Sequence, residues 1–468
     1  MRRALLLVLG LAAAVALAVP AAAFAHGLVG KQDLPIPRWL FAWAAAAVLV
    51  VSFAGLAALW PRPRLQSVRE RQLVRLPRVL DPLCGALGVG VFAFLVYAGF
   101  AGAQSAQTNV LPTVVYVIFW VGLPIASVLA GDVFGAFNPW RAVGRLAGWT
   151  AARVARGPLP EPLGYPERLG RWPAALGLLA FTWVELAYVN RDDPSTLAIL
   201  ALAYVAAQLV GMSLYGVPAW CERADAFGVY FGLFARLSPL RWQRARLFVR
   251  SPLGGAPPLP AMPGTVALLC VMIGTTSFDG FSLGGQWSPV AGRLQDAFVG
   301  LGASQAVALE LAMTIGLLGG VALVAALYWL AIEGVRGVTG GRARELGGAF
   351  AHSLVPIALA YVIAHYFGLL SYQGQAIAFL ASDPLGDGAD LFGTASRGID
   401  YGWISATAIW YVQIGALVAG HVCGLILAHD RAVARWSDPQ TALRSQYWML
   451  GVMVAFTCLA LWLLSGSA

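Results

Sequence analysis

The chain has 468 residues, of which 59% are apolar and only 11% are charged, whereas about a quarter of the residues in an ordinary soluble domain are charged. This composition excludes a soluble globular protein. The formal net charge is +9, but the basic residues lie between apolar blocks, as in membrane proteins. The charge therefore gives no reason to expect a nucleic-acid partner.

The first 25 residues have the pattern of a secretory signal peptide. Arg2 and Arg3 precede an apolar run, and residues 23–25 (Ala-Phe-Ala) fit the small-x-small pattern of a cleavage site. An uncleaved first helix is the alternative. Cleavage would leave His26 at the exported amino terminus, where its α-amino group and imidazole suit a copper ion. The plainer interpretation is a histidine that simply follows the cleavage site.

Ten apolar blocks follow, and each is long enough to cross about 30 Å of hydrocarbon as an α-helix. The predicted fold is an all-α, polytopic transmembrane helix bundle of about ten spans, in which residues 26–468 form a single integral membrane domain. The predicted spans are 39–60, 83–104, 113–130, 172–189, 196–217, 263–282, 306–330, 348–371, 404–428 and 446–466.

The basic residues between these blocks predict the orientation. Of the Arg and Lys residues, 24 lie in one set of connecting segments and five in the opposite set. By the positive-inside rule, the arginine-rich set is cytoplasmic and both termini are outside. The chain is thus predicted to be a multi-pass protein of the plasma membrane, with a long exterior loop at 372–403. The predicted cytoplasmic loops are 61–82, 131–171, 218–262, 331–347 and 429–445.

Two of the cytoplasmic loops contain similar segments. Residues 132–146 (DVFGAFNPWRAVGRL) and 225–242 (DAFGVYFGLFARLSPLRW) share Asp-x-Phe-Gly, later aromatic residues and an Arg near a Pro. Each is predicted to be an amphipathic segment on the membrane surface, with aromatic side chains inward and arginines toward lipid headgroups. The alternative is an internal repeat with a binding role.

The exterior loop carries Asp383, Asp387 and Asp390 among glycines. Their spacing does not fit an EF-hand, which needs ligands at alternate positions and a Glu at the twelfth. A solvated, turn-rich loop is the favoured interpretation, and a loose cation-binding loop is the alternative.

Three acids within the spans are the candidate catalytic residues: Glu185, Asp279 and Glu310. An ionisable side chain costs free energy in hydrocarbon, so each is expected to face the bundle interior or a water-filled cavity. In the predicted orientation, all three lie within one or two turns of the exterior ends of their helices. The alternative is that each side chain reaches toward the headgroups.

Four of the five histidines lie on two neighbouring spans, His352 and His365 on the eighth and His421 and His429 on the ninth. Because these spans are antiparallel, His352 and His429 are expected at the cytoplasmic end, with His365 and His421 deeper. Imidazoles suit zinc or copper, so His365 and His421 are candidate metal ligands, with structural hydrogen-bonded histidines as the alternative.

Helical periodicity surrounds these two histidines with polar side chains. Tyr361 shares a stripe with His365, whereas Trp410 and Gln413 share a stripe with His421. A Tyr–His pair is therefore expected to face a Gln–His pair across the two spans.

Six segments spread along the chain carry a resemblance to a known family: AHGLVGKQDLPIPRWLFAWAAAAVLVVSF, YVIFWVGLPIASVLAGDVFGAFNPWRAVGR, PGTVALLCVMIGTTSFDGFS, AFAHSLVPIALAYVIAHYFGLL, QGQAIAFLASDPLGDGADLFGTA and SQYWMLGVMVAF. Through them the whole chain resembles a family of polytopic membrane proteins labelled fenitrothion hydrolase. The resemblance implies hydrolysis of an aryl ester bond in an organophosphorus triester, but it implies no particular catalytic residues.

Two functions follow as hypotheses. The first is a metal-assisted phosphotriester hydrolase in which a divalent metal activates water. The second is a transporter or a copper-type metal-handling protein, and a structural subunit is the remaining possibility. The expected partners are membrane lipid and either a small apolar molecule or a metal ion.

Overall fold

The computed structural model describes residues 38–67, 69–156, 160–243 and 245–466. The predicted signal peptide and His26 lie outside the described residues. Within the described part the chain is almost entirely helical, and nine helices are long and apolar enough to cross a membrane. The prediction of an all-α, polytopic helix bundle is confirmed.

The elements of the first half include a nine-residue π-helix, Val114–Gly122, inside the third apolar block. In chain order the elements are α1 (Arg38–Leu59), β1 (Arg71–Arg75), α2 (Leu80–Ala101), α3 (Val110–Thr113), α4 (Leu123–Ala130), α5 (Val133–Phe137), α6 (Pro139–Val154), α7 (Trp172–Leu186), α8 (Pro194–Tyr215), α9 (Val217–Arg223), α10 (Ala226–Ala235), β2 (Leu240–Gln243) and β3 (Arg246–Val249).

The regular elements of the second half are all helices, and one 3₁₀ turn, Ala351–Ser353, joins two of them. These helices are α11 (Thr265–Ser282), α12 (Trp287–Gly300), α13 (Gln305–Thr339), α14 (Ala343–Phe350), α15 (Leu354–Gln373), α16 (Ala376–Leu380), α17 (Ala406–Arg435), α18 (Pro439–Ser445) and α19 (Tyr447–Gly466).

The fourth predicted span is shorter than expected. Helix α7 has 15 residues, about 22 Å at 1.5 Å per residue, and does not reach the length of a full crossing. It ends at Leu186, and a turn follows in which the Asp193 amide donates to the Asn190 carbonyl before Pro194 begins α8. Nine candidate spans in the described residues therefore replace the ten predicted.

The connecting segments gather at two separate ends. Segments 61–82, 131–171 and 218–262 contact one another, for example where Arg141 and Arg145 bind Asp81. We call this the arginine-rich end, since these are the segments predicted to be cytoplasmic. At the other end the Tyr116 hydroxyl donates to the Arg191 carbonyl.

Two features of the arginine-rich end were not predicted. Helices α13 and α17 run on to Thr339 and Arg435, so the segments predicted as loops 331–347 and 429–445 are largely helical. A three-stranded antiparallel sheet with the order β1-β3-β2 ties the segment after α1 to the segment after α10. Short strands far apart in the sequence give no periodic signal by which their pairing can be predicted.

The prediction that residues 225–242 lie on the membrane surface is wrong for helix α10. Three of its four aromatic side chains, Tyr230, Phe231 and Phe234, are at most 1% exposed, and the fourth, Phe227, is 7% exposed. Eight of the ten residues of α10 are buried, and the helix packs against α4, α5 and α7. Hydrophobic residues all round a helix indicate burial on every side, which the amphipathic interpretation overlooked.

Helices α15 and α17 make the most extensive helix–helix contact in the described structure. Gly420 and Gly424 of α17 allow it, since a Cβ on Gly420 would lie 2.3 Å from the Ala360 Cβ. A Gly-x-x-x-Gly pattern is a common means of close packing between membrane helices. Helix α11 packs against α7, α13 and α15, and so brings polar residues of three helices together.

Candidate functional site

The polar centre of the bundle is the carboxylate of Asp279 on α11. His365 Nε2 donates to Asp279 Oδ2 at 2.8 Å, and the Tyr366 hydroxyl donates to the same oxygen at 2.8 Å. The Asp279 and His365 side chains are 15% and 16% exposed. The pair is largely buried, so each side chain depends on the other for a hydrogen-bond partner.

Glu185, on α7, lies within electrostatic range of Asp279. Its Oε2 is buried and has no hydrogen-bond partner, and the same holds for Trp120 Nε1 and the Tyr230 hydroxyl. Trp120 stacks on Tyr230 with ring centroids 4.8 Å apart, and the Glu185 charge acts on Tyr230 and Tyr366. Unsatisfied buried polar groups are rare, and each calls for an explanation such as a catalytic role or an ordered water. Trp120 lies close enough to Glu185 to act on its carboxylate.

Helix ends add to the electrostatics of this cluster. Glu185 is one residue from the end of α7 and Asp279 is three from the end of α11, where the helix dipole is negative and disfavours a carboxylate. The charge of Arg191 acts on both acids, and its guanidinium donates to the Leu186 carbonyl at 3.4 Å. His365 and Arg191 are thus the groups available to balance two carboxylates.

The local sequence explains how the side chains reach the cluster. His365 and Tyr366 are consecutive on α15, about 100° apart around the helix, and both reach the α11 side. Trp120 lies in the π-helix, which packs on α15. A π-helix shifts the register of the side chains that follow and occurs frequently at functional sites.

Glu310, the third predicted acid, does not join the cluster by a hydrogen bond. Its Oε1 accepts from the Val189 amide at 3.2 Å, just beyond the end of α7. The Trp183 indole donates to Thr314 Oγ1 one turn further along α13. Glu310 therefore connects α7 to α13 near the cluster.

His421 is completely buried, yet its contacts differ from those of His365. Its Nδ1 donates to the Leu417 carbonyl at 2.8 Å, while its Nε2 has no hydrogen-bond partner. Its ring lies 6.2 Å from that of Tyr361, as the predicted stripes require. Trp410 and Gln413 are buried on the same stripe, at 3% and 9% exposure.

The remaining two histidines lie away from the acid cluster. His429 Nε2 lies 3.1 Å from the Trp60 carbonyl and its Nδ1 lies 3.0 Å from Gln446 Oε1. His352 is buried in the 3₁₀ turn that packs on α17. Both thus lie at the arginine-rich end.

The candidate metal ligands do not converge within the described residues, where no three His, Cys, Asp or Glu side chains lie close enough to hold a metal ion. His365 pairs with Asp279, and His421 bonds to its own helix. The described donors thus do not fit a three-ligand zinc or copper site. The metal role predicted for His26 concerns a residue outside the described part.

The fold defines a class, that of multi-pass α-helical integral membrane proteins. Comparisons of the chain with protein-family models, with curated proteins and with solved structures gave no match. Sequence reasoning identified Glu185, Asp279 and His365 but missed Tyr366 and Trp120. The one available signal was the position of Tyr366 beside a histidine inside a span.

Proposed function

We propose that the protein is a transporter of the plasma membrane in which substrate movement is coupled to proton transfer at Asp279, His365 and Glu185. The observation that carries this proposal is the environment of the Asp279 carboxylate inside the bundle. His365 and Tyr366 both donate hydrogen bonds to it. Ionisable residues within membrane helices are costly and mark ion pathways and proton relays.

The chemistry of the cluster suits a proton relay. A proton that arrives at Asp279 removes the negative charge that stabilises an imidazolium at His365. The imidazolium can then pass on one of its two ring protons and remain as a neutral imidazole. Glu185 supplies a second carboxylate within electrostatic range, and its free Oε2 is available to accept a proton. Two nearby acids in a low-dielectric region cannot both be ionised without a large cost in free energy. A proton bound by one acid therefore changes the charge interactions of the other.

The test uses proteoliposomes with a pH-sensitive dye inside. An imposed membrane potential and a panel of metal ions, carboxylates, phosphates and small apolar amines are applied in turn. We expect an internal pH change with wild type under at least one condition, its loss in Asp279→Asn, and its retention in Glu310→Gln, which removes a carboxylate of similar depth outside the hydrogen-bonded group. Absence of any pH change with folded wild type, or an equal change in Asp279→Asn, would contradict the proposal.

The second candidate is the phosphotriester hydrolase that the resemblance implies. The Asp279–His365 pair favours it, because an imidazole oriented by a carboxylate is a common general base for activating water. Release of the aryl alcohol from a phosphotriester by purified wild type, with none from His365→Gln, would support it. Equal release by both proteins would count against it.

A further inference from the structure

A second polar region lies at the arginine-rich end, away from the acid cluster. A cavity of about 610 Å³ opens there between helices α5, α6, α9 and α10 and the small sheet. Gly228 and Gly232 of α10 line it, whereas Tyr230 on the opposite face of the same helix approaches Glu185. Helix α10 therefore separates the cavity from the acid cluster.

The cavity has an excess of positive charge. Three acids line it, Glu70, Asp132 and Glu222, and one further acid, Asp81, pairs with lining residues from outside. Six arginines face these four acids, which leaves two positive charges without a counterpart. The arginines are Arg141, Arg145, Arg171, Arg236, Arg241 and Arg250.

Four of the six arginines form ion pairs, two with Asp81 and two with Glu70, so each of these acids is shared by two guanidinium groups. Asp81 accepts from Arg141 at 3.0 Å and from Arg145 at 2.6 Å. Glu70 pairs with Arg241, and its Oε1 lies 3.9 Å from Arg250. The Arg250 guanidinium also donates to the carbonyls of 235, 236 and 238.

The other two arginines, Arg171 and Arg236, bond only to neutral groups in the described structure. Arg171 is 3% exposed; its Nη1 donates to Thr265 Oγ1 at 2.9 Å, and its Nε has no hydrogen-bond partner. Arg236 Nη1 donates to the Gly255 carbonyl at 3.2 Å. Arg171 is buried and Arg236 is partly buried, and a buried charge is costly unless it is paired, so an anion bound between them would stabilise both guanidinium groups.

Burial and neighbouring positive charge lower the pKa of both groups. Burial, and then the nearby charge of Arg236, lowers the pKa of Arg171 to about 10. Burial, and then the charge of Arg250, lowers the pKa of Arg236 as well. Glu222 acts on both in the opposite direction from a longer range, without a direct ion pair in the described residues.

We propose that this cavity binds the phosphate group of an organic phosphate between Arg171 and Arg236. A phosphate monoester carries between one and two negative charges at neutral pH, which matches the excess of two, and guanidinium forks bind phosphate oxygens in pairs. The cavity volume lies in the range of small-molecule sites and exceeds what a bare phosphate ion fills. This site does not depend on the proton-transfer function proposed above.

Two sources can supply the same phosphate chemistry, namely a soluble phosphomonoester and the headgroup of an anionic phospholipid. The experiment measures both with the full chain. Phenyl phosphate and benzoate are titrated into protein in detergent, and thermal unfolding is compared in nanodiscs of phosphatidylcholine with and without phosphatidic acid. The proteins are wild type, Arg236→Gln, Arg236→Lys and the control Arg344→Gln, which removes an exposed arginine at the same end.

We expect phenyl phosphate or phosphatidic acid to bind wild type and Arg344→Gln equally, and benzoate to bind neither tightly. Arg236→Gln loses a charged hydrogen bond, so it should bind the phosphate compound at least about tenfold more weakly than wild type. Arg236→Lys should recover part of this affinity, because lysine keeps the positive charge but lacks the forked guanidinium group. A response to phosphatidic acid alone identifies the lipid as the source of the phosphate. The proposal is overturned if neither phosphate compound binds wild type, or if Arg236→Gln binds as well as wild type.

Discussion

Asp279 and His365 lie on neighbouring helices with the carboxylate and the imidazole 2.8 Å apart, and Tyr366 bonds to the same carboxylate oxygen. Two donors on one oxygen place the negative charge of Asp279 at the junction of α11 and α15. The hydrogen bonds thus connect the two helices and also stabilise the Asp279 carboxylate. Their contribution to stability can be separated from any transport or catalytic role.

Replacement of Tyr366 by Phe removes one of the two donors. We expect a loss of about 1.5–3 kcal/mol in the free energy of unfolding, since the acceptor is a charged group. Tyr411→Phe is the control, because Tyr411 is 57% exposed, and such a surface change is worth less than about 0.5 kcal/mol. Denaturation in mixed micelles measures both.

The combination of Tyr366→Phe with His365→Gln tests whether the two donors act as a unit. Since both bind Asp279 Oδ2, the double variant should deviate from the sum of the single variants by about 0.5 kcal/mol or more. Simple additivity would show that the two bonds are independent.

Replacement of Phe231 by Ala tests the burial of α10. Phe231 is 0% exposed and packs 5.0 Å from the ring of Phe134, so its truncation should cost about 3–5 kcal/mol in unfolding free energy. The matched control is Phe137→Ala at the end of α5, where the side chain is 37% exposed. Similar small effects in both variants would favour the surface position that the sequence predicted for this segment.

Much of the fold followed from apolar length and helical period. The stripe of Trp410, Gln413 and His421 was predicted from positions three and four apart, and all three residues are buried. Asp279 was identified because an ionisable residue inside a span is expected to face the bundle interior or a water-filled cavity, and His365 because an imidazole suits a metal ion. Their pairing with each other was not predicted, since helix periodicity gives the face of a residue but not which neighbouring helix it meets.

Other features have no signal in a single sequence. The π-helix that carries Trp120 depends on one shifted hydrogen-bond register, and nothing in the composition distinguishes it from an α-helix. Arg171 was counted as one more cytoplasmic charge, yet it is 3% exposed. Charge counting locates the side of the membrane but says nothing about burial. The short α7 shows likewise that an apolar block need not be helical over its whole length.

The loop at 372–403, which is predicted to be exterior, offers a test by pH. Asp390 Oδ1 accepts from the Ser382 hydroxyl at 2.6 Å and from the Ala395 amide at 3.0 Å. The Ser382 bond, and then the Ala395 bond, lower the pKa of Asp390 below its usual value. The carboxylate therefore stabilises the loop above its unfolded pKa, and this stabilisation disappears as the pH falls through the lower, folded value.

Cleavage at the exposed Leu391 and Phe392 by pepsin, normalised to an unfolded substrate at each pH, should rise as the pH falls below about 4. Asp390→Asn should be cleaved readily at every pH tested, without the stepwise rise in cleavage at low pH that is expected for wild type. Asp387→Asn is the control, since Asp387 accepts only from the Ala389 amide two residues away. A step of equal size in wild type and Asp390→Asn would assign it to another group.

Gly420 and Gly415 lie on the same helix, α17, but differ in the space available for a Cβ atom. A Cβ on Gly420 would lie 2.3 Å from the Ala360 Cβ and 2.7 Å from the Pro356 carbonyl oxygen, whereas a Cβ on Gly415 would meet nothing within 4 Å. Gly420→Ala should therefore force α15 and α17 apart at a cost of about 1–3 kcal/mol. Gly415→Ala should raise stability by about 0.5–1 kcal/mol, because alanine favours a helix over glycine.

Because α15 also carries His365, the two substitutions separate helix packing from the acid cluster. If Gly420→Ala displaces α15, it should weaken the His365–Asp279 bond and reduce proton coupling in proteoliposomes, even though residue 420 lies on α17 and makes no bond to that pair. Thermal unfolding and the internal pH change, measured on the same preparations, test this. Equal stability of the two alanine variants would show that α15 and α17 do not depend on glycine for their close contact.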